Sequence, residues 1–138
     1  MTHQNNYRIS KVIFFSFLFI FLFLISSANA ADRFWVASGS GDKIWWDNNN
    51  WSNQSGGTPG ANPPSGSDKA YFDANSTLDV NVTTNVAVNK LIMRGGYTGT
   101  ININIPSGQF NAKQGVVHSA GTIIVSDGEL RSGKAYTL

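Results

Sequence analysis

The sequence predicts an all-β protein built from short stacked strands, and three observations predict it. Apolar and polar residues alternate in several runs, most clearly at 78–82, 86–88 and 101–105. Because successive side chains on a strand point to opposite faces, each run has one apolar and one polar face. Glycine or proline separates many of the runs, and no segment after residue 30 keeps apolar residues at helical spacing over three turns.

The spacing of the later runs favours a β-solenoid. Val116, Ile123 and Leu130 recur every seven residues. Three such strands with their corners would make one coil of about 21 residues, a period typical of solenoids. Stacked coils accept asparagine at outward positions and glycine at corners, and both residues are frequent here. A two-sheet β-sandwich remains the alternative, since Asp127 and Gly128 form a pair typical of tight hairpins.

The first 30 residues have the pattern of a helical secretory signal peptide. Arg8 and Lys11 precede an apolar run over 12–25, and small residues follow that run. We expect cleavage between Ala30 and Ala31. An uncleaved anchor is the alternative, but a spanning helix needs about 20 apolar residues and this run is shorter. The sequence therefore predicts a secreted or cell-surface protein with no membrane span after leader removal.

The charge balance of the remaining chain argues against nucleic acid as a partner. Removing Arg8 and Lys11 from the ten basic residues leaves eight, which equals the eight acidic residues, all of which lie after residue 30. A near-neutral surface has no electrostatic attraction for a phosphate backbone. The chain contains no cysteine, so burial and backbone pairing must hold the exported domain together without disulfides.

The exported part divides into two regions. Region 31–76 contains aromatic strand candidates and a long stretch rich in Gly, Pro and Asn, and we expect it to form an N-terminal cap. Region 77–138 contains the regular short strands, and we expect it to form the solenoid coils. Because its pattern runs to Leu138 without a polar cap, we expect either continuation in a longer protein or self-association at that end.

Three tryptophans give the strongest binding-site candidates. Trp45, Trp46 and Trp51 bracket a polar stretch over 47–50. Indole faces can stack on sugar rings while neighbouring amides bind hydroxyl groups, so one hypothesis is a carbohydrate platform. The competing interpretation is that the rings close the end of the first coil. It is favoured because Trp45 and Trp46 are adjacent and would face opposite ways on a strand.

Metal binding is not predicted. In a calcium loop that starts at Asp47, the fifth position should be Asp or Asn and the sixth Gly. Those positions hold Trp51 and Ser52. We expect neither a metal nor another cofactor.

Catalysis is not predicted either. His118 and Ser119 lie near Asp127, but the Gly-x-Ser-x-Gly turn of a nucleophilic serine is missing. Asp127 and Glu129 could share one face of a strand, as a glycosidase pair would, but they flank a glycine and fit a turn better. The sequence therefore indicates a protein that is not an enzyme.

Taken together, the motifs resemble the opening segment of bacterial secreted β-solenoid proteins of the autotransporter-passenger type. The likeness covers nearly all of the exported part but includes no membrane-barrel domain and no C-terminal apolar anchor. It implies a right-handed parallel β-helix at the cell surface with an adhesion, matrix or surface-layer role, and no catalytic residues carry over. The residues that carry it are Phe34 with Trp35, Asn50 to Ser52, Pro59 with Gly60, Asp68, Tyr71 with Phe72, the valine alternation and the run Gly95 to Thr100.

The functional expectation is a non-enzymatic exported module with a structural or adhesive role. A carbohydrate-binding module using the three tryptophans is the first alternative, with a polysaccharide as partner. A fragment of a β-helical polysaccharide-degrading enzyme is the second.

Overall fold

A computed structural model of the chain describes residues 30–39, 43–134 and 136–138, and within them ten strands and one 3-10 turn. The predicted signal peptide falls almost wholly outside the described residues. The elements are β1 (Asp32–Trp35), a 3-10 turn (Asn48–Asn50), β2 (Trp51–Ser52), β3 (Lys69–Phe72), β4 (Val80–Val82), β5 (Val86–Val88), β6 (Lys90–Met93), β7 (Thr100–Ala112), β8 (Val116–His118), β9 (Thr122–Ser132) and β10 (Tyr136–Thr137).

The strands stack in parallel as a β-solenoid of about three turns, which confirms the all-β prediction and its preferred architecture. The first face is a sheet in the order β10-β8-β6-β3-β1-β2. The second face consists of β4 and the first halves of β7 and β9, and the third of β5 and their second halves. Only β2 runs antiparallel to its neighbour among these pairs. Each turn therefore visits the three faces in the same order.

The register gives the length of each turn. Lys69 pairs with Lys90, 21 positions further along the chain. Leu91 pairs with Val116 after 25 positions, and Val116 pairs with Tyr136 after 20. These lengths agree with the predicted period of about 21 residues. Because β3 belongs to this stack, the sheet of the first face extends from the predicted coil region into the predicted cap region 31–76.

The core consists of inward-facing rows that run along the solenoid. Val80 pairs with Ile101, Val82 with Ile103 and Val86 with Phe110, and all six side chains are buried. Fully burying a side chain of this size stabilises the fold by about 1.5–3 kcal/mol. The alternation seen in the sequence therefore places one apolar residue per turn in each row.

Side chains at the corners bind backbone groups of the next turn. The Asp79 carboxylate accepts a hydrogen bond from the Thr100 backbone N–H at 2.7 Å, and the Asn85 side-chain oxygen accepts one from Gln109 at 2.7 Å. These two side chains thus give backbone N–H groups of β7 a hydrogen-bond acceptor. Asp79 and Asn85 stand directly before the first residues of β4 and β5, where they can reach these donors.

We expect Gly128→Ala to lower the free energy of unfolding by about 2 kcal/mol. Gly128 has a φ of +87°, and a Cβ there would lie 2.5 Å from the backbone oxygen of Ile105. Gly95 is the matched control, because its Cβ would meet nothing within 4 Å and its φ is not positive. Gly95→Ala should change stability by less than about 0.5 kcal/mol. Urea unfolding followed by circular dichroism measures both, and equal losses would contradict the strained corner.

Candidate functional surface

Trp51 and Trp45 lie inside the core. The Asp47 carboxylate caps the 3-10 turn by accepting a hydrogen bond from the Asn49 N–H at 2.9 Å, and the chain then enters β2. Pairing of β2 with β1 sets Trp51 opposite Trp35. Trp51 packs edge-on against Trp45 at 4.8 Å between ring centres, and its indole N–H donates to the Trp45 carbonyl at 2.6 Å.

The buried rings close the N-terminal end of the solenoid. Trp35, Trp45 and Trp51 are fully buried, and Trp45 also packs against Phe110 of β7 at 5.2 Å. The ring faces that a sugar would need are covered by other aromatic rings. The structure thus brings Trp45 and Trp51 together in the core, apart from Trp46, and leaves neither of the two buried rings open to a ligand.

Trp46 points the other way and is 46% exposed. Its indole N–H donates to the Thr84 hydroxyl at 2.6 Å, which fixes the ring beside the corner between β4 and β5. Trp46 is therefore the one member of the predicted tryptophan platform whose ring remains accessible to solvent.

An outward row lies on the second face near Trp46. Ile44 forms an isolated bridge with Asn81, which pairs with Asn102, and Asn102 pairs with Ile124. We call these four residues the amide row. The two isoleucines are each 48% exposed, and the two amides between them are half-buried.

A second outward row lies on the first face, where Phe34 pairs with Tyr71, Tyr71 with Ile92, and Ile92 with Val117. We call these four residues the aromatic row, and all of them are half-buried. Phe34 and Tyr71 stack at 4.7 Å with 13° between their planes. The Arg94 guanidinium lies 5.0 Å from the centre of the Tyr71 ring, within the range of a cation–π contact.

Sequence reasoning did not identify the aromatic row as a site. The available signal was the repeated pair of adjacent aromatics, Phe34 with Trp35 and Tyr71 with Phe72. Adjacent residues on a strand face opposite ways, so burial of Trp35 and Phe72 sends Phe34 and Tyr71 outward.

The structure does not assemble the Ser-His-Asp constellation considered from the sequence. The Ser119 hydroxyl donates to the Met93 carbonyl at 3.1 Å. His118 contacts the Tyr136 hydroxyl through Nδ1 at 2.7 Å and the Gly121 carbonyl through Nε2 at 3.1 Å. Asp127 accepts a hydrogen bond from the N–H of the neighbouring glycine at 2.7 Å.

Glu129 pairs with Arg131 at 2.7 Å rather than with Asp127. Both residues of that ion pair line a shallow cavity of about 230 Å³ at the third face. Among the residues that the structure describes, no cluster of three or more His, Cys, Asp or Glu side chains is placed to hold a metal ion. The cavity is lined by Asn85, Ser107, Gly108, Gln109, Glu129 and Arg131.

Two buried carboxylates hold the loops of the N-terminal region. Asp68 accepts hydrogen bonds from the Ala31 N–H at 2.9 Å, the Ser65 N–H at 2.8 Å and the Ser65 hydroxyl at 2.7 Å. Asp73 accepts bonds from Ser55 at 2.8 Å and from the Asn75 N–H at 3.1 Å. Burial by itself raises the pKa of each carboxyl, but these bonds outweigh it and the net pKa of both is lowered.

Neither a known protein family, nor a curated protein, nor a solved structure matches this chain. In the part of the chain that the structure describes, no helix has the length and apolar character to cross a membrane. The stacked parallel strands define the class of the protein as a β-solenoid. Its outward rows are the surface features that bear on function.

Proposed function

We propose that this chain is an exported, non-enzymatic β-solenoid module with a structural or adhesive role, and that the aromatic row makes the adhesive contact. The observation that carries the proposal is the register of that row. Partly exposed Phe34, Tyr71, Ile92 and Val117 occupy successive layers of one face. Strand stacking repeats these side chains about every 4.8 Å, so they form a rigid apolar strip.

The charged groups beside the strip support a role in contact with a hydrated surface. The Arg94 guanidinium lies over the two aromatic rings of the strip, 5.0 Å from the centre of Tyr71 and 6.0 Å from that of Phe34, and 3.5 Å from Asp73. On the neighbouring outward row, Lys69 pairs with Asp32 at 3.5 Å. An apolar centre with a polar rim is the usual composition of a protein surface that binds a partner.

Export is the second part of the proposal. The leader 1–30 would be removed between Ala30 and Ala31. Strand β1 begins at Asp32, so cleavage there would leave every described strand intact. The exported module would then be held by its parallel ladders and its tryptophan-lined end.

Retention on immobilised polysaccharide tests the adhesive contact. We expect Tyr71→Ala to lower retention about tenfold, because it removes the centre of the strip and the ring beneath Arg94. Thr98→Ala is the matched control, since Thr98 is an exposed corner residue that belongs to neither row. Circular dichroism checks that both variants keep the strand signal. Unchanged retention of Tyr71→Ala would contradict the proposed role of the aromatic row.

A carbohydrate-binding module that uses Trp46 is the second candidate. It is favoured by the exposed ring and by the hydrogen bond that holds this ring to Thr84. The other three tryptophans are fully buried, so a ligand-induced change in tryptophan fluorescence would report on Trp46. In the same retention assay, this candidate requires Trp46→Ala to lose binding while Tyr71→Ala keeps it. Release of new reducing ends would instead support the polysaccharide-degrading alternative.

A further inference from the structure

A row of charged residues lies beside the aromatic row on the first face. Asp32 pairs with Lys69, and Lys69 pairs with Lys90, on three neighbouring parallel strands. Each of them stands two positions before a member of the aromatic row, so both rows face outward from the same sheet. Neighbouring strands lie about 4.8 Å apart. We call Asp32, Lys69 and Lys90 the charged row.

The charged row contains two cations and one carboxylate. Lys69 forms an ion pair with Asp32 at 3.5 Å. Lys90 is half-buried, and among the residues that the structure describes none forms an ion pair with it. Because Lys69 and Lys90 are directly opposite each other on adjacent strands, their like charges repel. An anionic ligand beside Lys90 would relieve this repulsion.

A third cation lies on the other side of the aromatic row. Arg94 follows Ile92 by two positions, and its side chain is 48% exposed. Its guanidinium lies 3.5 Å from the Asp73 carboxylate, which accepts a shorter bond of 2.8 Å from Ser55. Within the described part of the chain, Asp73 is the only hydrogen-bond acceptor for this guanidinium. The other N–H groups of Arg94 therefore remain available to a ligand, and a guanidinium can bind a carboxylate through two parallel hydrogen bonds.

The charges around the aromatic row favour an anionic partner. Three cations and two carboxylates flank the row, which leaves one excess positive charge on this face. A membrane with acidic lipids is usually bound by about four to eight Lys or Arg residues, more than this face carries. A polysaccharide with acidic groups provides apolar sugar C–H groups for the aromatic row and anions for its two sides. The flanking charges are Lys69, Lys90, Arg94, Asp32 and Asp73.

We infer that the first face binds an acidic polysaccharide. Its sugar rings would lie on the aromatic row, and its carboxylate or sulfate groups would contact Lys90 on one side and Arg94 on the other. This inference rests on the adhesive role proposed for the aromatic row and names the ligand class of that site.

Three polymers with the same backbone separate the contribution of charge from that of sugar contact. The full-length chain is passed over immobilised dextran, carboxymethyl-dextran and dextran sulfate. At low ionic strength we expect at least about tenfold tighter binding to one or both anionic polymers than to dextran. Because salt screens exposed charges, this difference should shrink toward about 1 M salt. The two anionic polymers show whether the preferred group is a carboxylate or a sulfate.

Single substitutions test where the acidic groups bind. Lys90→Gln and Arg94→Gln should each weaken binding to the preferred anionic polymer about threefold, the size of effect expected from one exposed ion pair. Lys90→Arg keeps the charge and should bind as the parent chain does. Arg131→Gln is the matched control, because it also removes one positive charge but lies on the third face. Circular dichroism checks that every variant keeps the strand signal.

Equal binding of the parent chain to all three polymers, or equal effects of Lys90→Gln and Arg131→Gln, would overturn the inference. Neither result would contradict the adhesive role of the aromatic row if Tyr71→Ala still lowers retention on dextran. Unchanged retention of Tyr71→Ala on every polymer would contradict that role and the inference with it. Binding to vesicles of phosphatidylserine and phosphatidylcholine, without binding to either anionic dextran, would overturn the inference in favour of a membrane.

Discussion

Replacing Trp45 with alanine is expected to lower the free energy of unfolding by about 3–5 kcal/mol, a large fraction of the stability of a domain of this size. The side chain is fully buried, and its ring packs against Trp51 at 4.8 Å, Phe110 at 5.2 Å and Phe72 at 6.1 Å. These partners belong to three different strands. The substitution would therefore leave a cavity where the closed end joins the stacked turns. Urea unfolding monitored by circular dichroism measures the loss.

The neighbouring residue supplies the control. Trp46→Ala removes a ring that is 46% exposed and one hydrogen bond to Thr84, so it should cost less than about 1.5 kcal/mol. Trp45→Phe should fall between the two, because the Trp45 indole N–H is buried without a hydrogen-bond partner and phenylalanine removes that unsatisfied donor. Equal losses for Trp45→Ala and Trp46→Ala would contradict the different placement of the two rings.

Asp68→Asn is expected to lower the free energy of unfolding at pH 7 by about 2–3 kcal/mol. The carboxylate is 7% exposed and accepts three hydrogen bonds, from the Ala31 N–H and from the N–H and hydroxyl of Ser65. Asparagine keeps the shape but has one acceptor oxygen, and its NH2 group would face a donor. Asn62→Ala, at an exposed position in the same loop, is the control and should change stability by less than about 0.5 kcal/mol.

The same carboxylate predicts how stability depends on pH. Burial raises the pKa of Asp68, but hydrogen bonds from Ser65 and Ala31 and the charge of Arg33 outweigh it, so the pKa lies below its ordinary value of 3.8. A lowered folded pKa stabilises the protein above the unfolded value, and this contribution is lost as pH falls through the folded pKa. The free energy of unfolding of Asp68→Asn should therefore fall less steeply below about pH 4 than that of the original chain. Part of the acid dependence should remain, because Asp73 also has a lowered pKa. An acid profile identical to that of the original chain would contradict this role.

The strand pattern could be predicted from the sequence because it depends on local alternation. Ile101 and Ile103 point inward on β7 as their spacing indicates, and the spacing of Val116, Ile123 and Leu130 gives the approximate length of a turn. The sequence did not show that the turns differ in length, since corner residues such as those at 94–99 have no period. The sequence therefore predicts the architecture where one residue repeats in each layer. It does not predict the lengths of the loops between the strands.

The surface was less predictable because it depends on pairing between distant segments. The sequence distinguished Trp45 from Trp46 only because adjacent residues of a strand face opposite ways. The structure buries Trp45 and exposes Trp46. The stacking of Phe34 on Tyr71 requires the register of β1 against β3, whose paired residues lie 37 positions apart in the chain. Local alternation does not determine that register. The hydrogen bonds of Asp68 likewise join a loop to the start of β1, which no local pattern encodes.

The contact between Ala31 and Asp68 lies directly after the proposed cleavage site. The Ala31 backbone nitrogen lies 2.9 Å from the Asp68 carboxylate. If the leader is removed after Ala30, as proposed, that nitrogen becomes the α-ammonium group of the processed protein. A neutral donor would then be replaced by a positive charge beside a buried carboxylate, and charge-assisted hydrogen bonds are about twice as strong as neutral ones. Removal of the leader would strengthen the hydrogen bond that joins the start of β1 to the start of β3. The precursor would therefore unfold more easily than the processed form.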